Sequence, residues 1–193
     1  MPWICDMHSV GVLVSRTTPT GSREYLVFTR VGVPSGVAPV AGHVFDSHDG
    51  PRQAAQAELT EETSLTAAPE QLNLVAMGWR PNRCGAPLPD QAAGEGGHFW
   101  WIYQVTEVTG ELNLAPDEAR DARWAPVAEL QTLADRAAAY AAGDLSEEQW
   151  QQQPGLEPVW CYWLQDLGLI SLTGTEQARI ARIAATPPVP TPG

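Results

Sequence analysis

The stretch GHVFDSHDGPRQAAQAELTEETSL, residues 42–65, reads as a loop that opens a helix. Pro51 suits the first helical position, because its missing N–H is no loss there, and Gly50 directly precedes it. Asp49 lies close enough to favour the positive end of the helix dipole. Most of the following residues are good helix formers. We therefore predict a helix over 51–63.

Three glutamates, Glu58, Glu61 and Glu62, share a face of this helix because side chains three and four residues apart are neighbours. Like charges at these spacings repel by about 0.2–0.5 kcal/mol per pair unless a cation lies between them. Carboxylate oxygens suit a hard ion, so the helix predicts a site for Mg²⁺ or Mn²⁺. Taken alone, the same residues also fit a solvated acidic surface.

The glycine loop, the acidic residue and the helix together resemble the box of the Nudix hydrolases, G-x5-E-x7-R-E-U-x-E-E-x-G-U, in which U is a bulky aliphatic residue. The positions E-U-x-E-E-x-G-U are matched by Glu58, Leu59, Glu61, Glu62 and Leu65. Asp49 falls on the first glutamate of the pattern. The resemblance extends over about residues 8–142.

Three positions depart from the pattern. Ala57 stands where the family has an arginine, Ser64 replaces the second glycine, and Gly42 lies one residue too far upstream. In the family the arginine braces the loop and the helix through a carboxylate, which alanine cannot do, and Arg52 is the candidate for compensation. The metal carboxylates are intact, which favours an active enzyme over an inactive relative.

The resemblance implies an α/β fold, a mixed sheet sandwiched between helices (α/β/α). Extra helices at the carboxy-terminal end are expected from the apolar pattern beyond the resemblance. It also implies a cation held by the three box glutamates and by the Gly42 carbonyl, and a metal-bound water that attacks phosphorus. The catalytic candidates are Glu58, Glu61, Glu62 and the loop residue Glu118, of which Glu58 or Glu118 is the expected general base. The implied reaction cleaves a diphosphate bond in a nucleoside diphosphate linked to another moiety, such as a nucleotide sugar or an ADP-ribose-like compound, or in a nucleoside triphosphate.

Ala57 and Ser64 keep other hypotheses open. A degenerate domain could bind a nucleotide or a non-nucleotide diphosphate as a sensor or an interaction module. The substrate of an active enzyme could also be a non-nucleotide diphosphate. A last hypothesis treats the box as the acidic surface helix of an interaction protein. Metal-dependent thermal stabilisation would argue against that last hypothesis, because a ligand that binds only the folded state raises the melting temperature.

Apolar periodicity predicts the elements around the box. Strands are expected over 8–16, 24–30, 72–80 and 98–108, and helices over 130–142, from about 144, and over 158–167. In the aromatic strand over 98–108, Trp100 and Trp101 must face opposite sides of the sheet, so one can line a pocket while the other packs inside. Trp100 is the candidate for substrate binding.

Cations that could meet a phosphate are scarce in this chain. Arg80 and Arg83 flank the start of a Pro- and Gly-rich connection over 81–97, whose length suits a substrate loop. Arg30, at the end of a predicted strand, completes the substrate-binding candidates.

Composition narrows the expected partners. Eleven basic and 23 acidic residues give a formal net charge of −12, which argues against binding to duplex nucleic acid or to anionic membranes. The expected partner is a small phosphorylated substrate, a nucleotide by resemblance, and the family makes a homodimer plausible. The amino terminus lacks the features of a secretory signal, and no run is long enough to span a bilayer, so we expect a cytoplasmic protein.

The length of 193 residues fits one domain over 1–175, including the carboxy-terminal helices, followed by a Pro-rich and disordered tail over 176–193. The three cysteines, Cys5, Cys84 and Cys161, form no Cys-x-x-Cys pair and are expected to be reduced thiols. The histidines His43, His48 and His98 are expected to have structural or surface roles.

Overall fold

The computed structural model describes residues 4–32, 35–45, 47–82, 87 and 96–186. These residues form seven strands, five α-helices and a short 3-10 turn, Pro69–Gln71. The strands are β1 (His8–Thr17), β2 (Arg23–Arg30), β3 (Val37–Ala38), β4 (Val40–His43), β5 (Asn73–Pro81), β6 (Gly97–Val105) and β7 (Ala119–Pro126). The helices are α1 (Pro51–Thr63), α2 (Val127–Ala142), α3 (Glu147–Gln152), α4 (Pro158–Asp166) and α5 (Gly174–Ala185).

Strand β1 lies at the centre of the sheet. It pairs in parallel with β6 and antiparallel with β4, and its last residues pair antiparallel with β2. The sheet order is β3-β2-β1-β6-β5, with β4 added to β1 and β7 added to β2. The mixed sheet and the four predicted strands are therefore confirmed.

Helices cover both faces of this sheet. Alternate residues of β1 belong to different clusters: Val12 packs with Leu59 of α1, whereas Leu13 packs with Leu130 of α2 and Trp160 of α4. Successive strand residues point to opposite faces, so the two clusters are the two halves of a sandwich. This arrangement confirms the predicted α/β/α class with extra carboxy-terminal helices.

The predicted helix over 51–63 is confirmed, and its end explains one departure from the family pattern. Ser64 caps α1 in the left-handed conformation with φ of 60°, and its N–H donates to the Thr60 carbonyl oxygen at 2.8 Å. Glycine adopts this conformation freely, whereas other residues lose about 1–2 kcal/mol. The Ser64 hydroxyl donates to the Asn113 carbonyl oxygen at 3.1 Å, which offsets part of that cost.

The chain after α3 returns to the sheet beside β3. Leu156 forms a parallel bridge with Val37 and is fully buried. The Val37 N–H donates to the Gly155 carbonyl oxygen at 2.8 Å, and the Glu157 N–H donates to the Val37 carbonyl oxygen at 2.9 Å. A side chain at Gly36 would overlap the Glu157 backbone. The bridge therefore holds Glu157 close to the end of β2.

The predicted start of the tail, at residue 176, is wrong. Residues 176–185 lie in α5, which begins with a capping box formed by Thr173 and Glu176 and buries Ile180 completely. The Pro-rich composition that suggested disorder starts only at residue 187, so it says nothing about the preceding turns of helix. Residues 187–193 lie outside the described part of the chain.

Candidate active site

Glu62 is the buried centre of the site. The residue is 4% exposed, and its Oε2 accepts a hydrogen bond from the Ala41 N–H at 3.0 Å. Burial raises the pKa of the Glu62 carboxyl to about 8; Arg30 opposes the shift, and Glu58 and Glu118 add to it. An additional positive charge beside Glu62 would therefore stabilise the ionised carboxylate.

Glu58 lies one turn before Glu62 and touches the strand that precedes the box loop. A Cβ at Gly42 would overlap the Glu58 carboxylate, so glycine alone permits this approach. Glu58 itself is half-buried. Helix α1 and strand β4 thus bring together the two carboxylates and the Gly42 backbone, which the sequence proposed as metal ligands.

Arg30 is the cation of the site. Burial by itself lowers the pKa of the Arg30 guanidinium, but four carboxylates outweigh it and raise the pKa. They are Glu157, Glu62, Glu58 and Glu118. The Nη1 atom lies 3.9 Å from Glu157 Oε2, and the side chain keeps 27% of its surface exposed. Among the described residues, the buried Arg30 Nε atom has no hydrogen-bond partner.

Glu118 joins this group from the loop before β7. Its carbonyl oxygen accepts a hydrogen bond from the Val31 N–H at 2.9 Å, next to Arg30, and its side chain is exposed. Glu61 is also exposed, but the carboxylates that shift the pKa of Glu62 are Glu58 and Glu118. The three box glutamates are therefore not equivalent, because Glu61 is exposed and is not among the charges that shift the pKa of Glu62.

The other predicted cations have different surroundings. Arg80 forms an ion pair with Asp166 and lies over the Trp163 ring, 4.3 Å from its centroid, so its contacts are with α4. The structure does not place Arg80 among the charges around Glu62. Arg83 lies outside the described residues. Arg52 donates to the carbonyl oxygens of Pro69 and Leu72, so it braces the turn after α1 rather than the loop before it.

Trp100 is a core residue, which corrects its assignment to the substrate. It is 3% exposed, and its ring meets the Trp160 ring edge-on with centroids 6.1 Å apart. Trp101 lies on the other face and is half-buried. It stacks on His8 at 5.8 Å and meets Phe45 of the box loop at 6.4 Å. Of the two tryptophans, Trp101 is therefore the one that keeps surface accessible to a ligand.

Glu157 is the site residue that the sequence did not reveal. It is 4% exposed; burial raises the pKa of its carboxyl, and Arg30 opposes the shift. It precedes Pro158 at the start of α4, where an acidic residue is unremarkable because it favours the helix dipole. No local pattern could show that the bridge between Leu156 and Val37 of β3 positions Glu157 beside Arg30.

Among the described residues, no helix combines the length and the apolar character needed to cross a bilayer.

Comparisons with known proteins give a family and a fold. A model of the NUDIX domain matches residues 7–144, which leaves α3, α4 and α5 outside the match. A comparison with curated proteins gave no match.

Three solved structures illustrate the likeness. The NUDIX domain of Shewanella oneidensis NrtR complexed with ADP ribose has a TM-score of 0.51 at 12% identity, covering 68% of this chain and 79% of that one. The C. elegans Ap4A hydrolase binary complex has a TM-score of 0.48 at 22% identity, covering 70% of this chain and 98% of that one. The M. smegmatis Nudix hydrolase RenU gives 0.45 at 19% identity, covering 86% of each chain. At these identities the likeness concerns the fold alone.

Proposed function

Because this chain belongs to the NUDIX domain family, we propose that it is a divalent-metal-dependent pyrophosphohydrolase. Its substrate is a nucleoside diphosphate linked to another moiety, or a nucleoside triphosphate. The observation that carries the proposal is the grouping of Glu58, Glu62 and the Gly42 backbone beside Arg30. This arrangement supplies both ligands for a cation and a positive group for phosphate.

The residues present fit a hard cation such as Mg²⁺ or Mn²⁺. Glu58, Glu62 and the Gly42 carbonyl offer oxygen donors only, and Glu61 is the remaining candidate ligand. Burial raises the pKa of the Glu62 carboxyl to about 8, and a divalent cation beside it would favour the ionised form. When bound, the cation neutralises the diphosphate and lowers the pKa of a water molecule.

The other side chains then have distinct roles. Arg30, whose side chain is partly exposed, binds a phosphate oxygen. Glu118, exposed beside Arg30, or Glu58 accepts the proton of the attacking water. Trp101, together with His8 and Phe45, offers a surface on which a nucleobase can stack.

A nucleotide-like substrate has one further support. The NUDIX domain of NrtR, which has a similar fold, was crystallised with ADP ribose. ADP-ribose-like compounds and nucleotide sugars therefore belong in the first substrate panel, together with nucleoside triphosphates and dinucleoside polyphosphates.

The test is hydrolysis of that panel with Mg²⁺ or Mn²⁺, followed as pyrophosphate release from the nucleoside triphosphates and by chromatography of the nucleotide products for the other members. We expect turnover by the wild-type chain, loss of turnover in Glu62→Gln, and full turnover in Glu70→Gln, an exposed glutamate on the 3-10 turn. The same turnover in Glu62→Gln and in the wild type would contradict the proposed site.

The second candidate function is a nucleotide-binding module without catalysis. It is favoured by Ala57, because the family's bracing arginine is missing. Metal-dependent binding of a panel member with no turnover of any would support it over the hydrolase.

A homodimer stays a prediction. The edge strand β5 exposes apolar side chains that could be covered by a second copy, namely Leu74, Val75, Met77 and Trp79. Sedimentation of the wild type beside Met77→Lys would test this surface, since the dimer should dissociate in the variant.

A further inference from the structure

A sulfur and two imidazoles converge on the side of the sheet opposite α1. Cys5 precedes β1, His43 ends β4 and His98 lies in β6, so three separate segments contribute. Cys5 Sγ lies 3.2 Å from His98 Nε2 and 3.6 Å from His43 Nε2. One ligand atom from each residue lies within 4.8 Å of the others. Cys5 and His98 are 1% exposed, and His43 is half-buried.

We propose that Cys5, His43 and His98 form a second metal site, for a borderline-soft divalent ion of the Zn²⁺ type. Thiolate and imidazole are the donors that Zn²⁺ prefers, whereas Mg²⁺ prefers the oxygens of the box. Zn–S bonds of about 2.3 Å and Zn–N bonds of about 2.0–2.1 Å give sulfur–nitrogen edges of about 3.5 Å in a tetrahedral site. The two observed sulfur–nitrogen distances lie on either side of this value.

Neighbouring groups orient these ligands. Ser9 Oγ lies 2.8 Å from His98 Nδ1, which directs Nε2 of the same ring towards the sulfur. The Met7 N–H donates to Cys5 Sγ at 3.3 Å and thereby stabilises a thiolate. Hydrogen bonds from outer groups to metal-binding side chains are typical of protein metal sites.

Both Nε2 atoms face the same sulfur, so one ion can contact all three ligand atoms. A metal ion binds all three atoms and places positive charge next to the buried thiolate. With three protein ligands, the fourth position of the tetrahedron would be taken by water or a small anion.

The site would join the segment before β1 to two strands of the sheet. His43 directly follows Gly42, so an ion at this site would fix the end of β4 from which the box loop departs. This role is structural and does not depend on whether the box glutamates carry out hydrolysis.

The first experiment measures zinc per chain by inductively coupled plasma mass spectrometry, after reconstitution of the full-length protein with Zn²⁺ and gel filtration in excess Mg²⁺. We expect about one zinc per chain in the wild type, in Glu62→Gln and in His48→Gln, a histidine outside the cluster. We expect none in Cys5→Ser and His98→Gln. Zinc that is absent from the wild type, or unchanged in Cys5→Ser, would overturn the proposal. Because Glu62→Gln removes the hydrolytic site alone, the two proposals fail separately.

Two further measurements test the site without relying on the Cys5→Ser variant, in case this variant does not fold. Substitution with Co²⁺ should give a thiolate-to-cobalt charge-transfer band in the wild type, and its absence would contradict Cys5 as a ligand. Ser9→Ala keeps all three ligands, and we expect it to weaken zinc binding by roughly 10–100-fold in competition with a chromophoric chelator. Unchanged affinity in Ser9→Ala would show that Ser9 does not orient a ligand and would count against the site.

Discussion

At the scale of single residues, the site is a balance between one arginine and several carboxylates. The family arginine is absent at position 57, yet Arg30 places a positive charge beside Glu58 and Glu62 from strand β2. The sequence identified the carboxylates, because helical spacing alone puts them on one face. It named Arg30 as a substrate-binding candidate but could not show that Arg30 lies beside these carboxylates, since the approach of β2 to α1 is set by the whole sheet.

The three box glutamates should differ in importance. Glu62 and Glu58 are buried or half-buried beside Arg30, whereas Glu61 is exposed. We expect Glu62→Gln and Glu58→Gln to lower kcat/KM by at least about 100-fold, and Glu61→Gln to have a smaller effect. Steady-state kinetics on the best substrate of the panel would check the order. A larger loss in Glu61→Gln than in Glu62→Gln would contradict it.

Gly42→Ala should displace the Glu58 carboxylate. The added Cβ would overlap the far end of this flexible side chain, which can turn away at little cost but then leaves its position beside Gly42. We expect weaker stabilisation by Mg²⁺ in a thermal denaturation series. Gly50→Ala is the matched control, because its Cβ would meet open space and its φ is extended. Equal behaviour of the two variants would argue against the close approach of Glu58.

Glu157 should make stability depend on pH. Burial raises the pKa of its carboxyl, so the unfolded chain releases this proton at lower pH than the folded chain does. The associated stability is present below the ordinary carboxyl pKa of about 4.3 and is lost as the pH rises through the raised value. We therefore expect Glu157→Gln to gain stability relative to the wild type as pH rises, measured by urea denaturation.

Glu147→Gln is a control for the Glu157→Gln denaturation series, because its stability relative to the wild type should change with pH in the opposite direction. Hydrogen bonds from Gln151 and Tyr140 lower the pKa of the Glu147 carboxyl. Its contribution is present above the ordinary carboxyl pKa and is lost as the pH falls, so Glu147→Gln should lose stability relative to the wild type as pH rises. The same trend in both variants would mean that Glu157 is not responsible.

At the scale of elements, sequence patterns predict individual helices and strands, but they do not predict how these elements pack against one another. The start of α1 at Pro51 and the alternation in β6 followed from local chemistry. Which face of β6 is buried deeper depends on α4, more than 50 residues later in the chain. The prediction that Trp100 and Trp101 face opposite sides of the sheet is therefore right. The assignment of Trp100 to substrate binding is wrong, because α4 buries its side of the sheet.

Helix α5 should contribute to stability as a packed element. Ile180 is fully buried, and Ile183 on the same helix is only half-buried. We expect Ile180→Ala to lower the free energy of unfolding by about 2–5 kcal/mol, and Ile183→Ala to lower it by less. Chemical denaturation would measure both. A negligible effect of Ile180→Ala would restore the original prediction that this region is a tail.

At the scale of the whole molecule, the family domain and the carboxy-terminal helices share one core. Residues beyond the family match fill one face of the sheet, including Trp150, Leu156, Trp160, Trp163 and Ile180. The resemblance predicted the sandwich but stopped at about residue 142, so it could not indicate that the following helices complete both the core and the surroundings of Arg30.

Truncation would show this dependence. A chain ending at residue 144 loses the bridge from Leu156 to Val37 and exposes the apolar face of β1 and β6. We expect it to aggregate or to lose cooperative unfolding, whereas a chain ending at residue 186 should keep the wild-type melting temperature. Calorimetry and size-exclusion chromatography would compare the two. A stable, monomeric 1–144 fragment would contradict a shared core.

The parallel pairing of β1 with β6 also has a consequence for biosynthesis. His8 pairs with Phe99, so β1 waits roughly 90 residues for its central partner after it leaves the ribosome. At about 5–20 residues per second, this delay amounts to roughly 5–20 seconds, and the bridge from Leu156 comes later still. Of the described residues that precede β6, those of β2, β4 and α1 can cover the apolar side chains of β1 during translation. The nascent chain therefore presents an incomplete sheet to chaperones until β6 emerges.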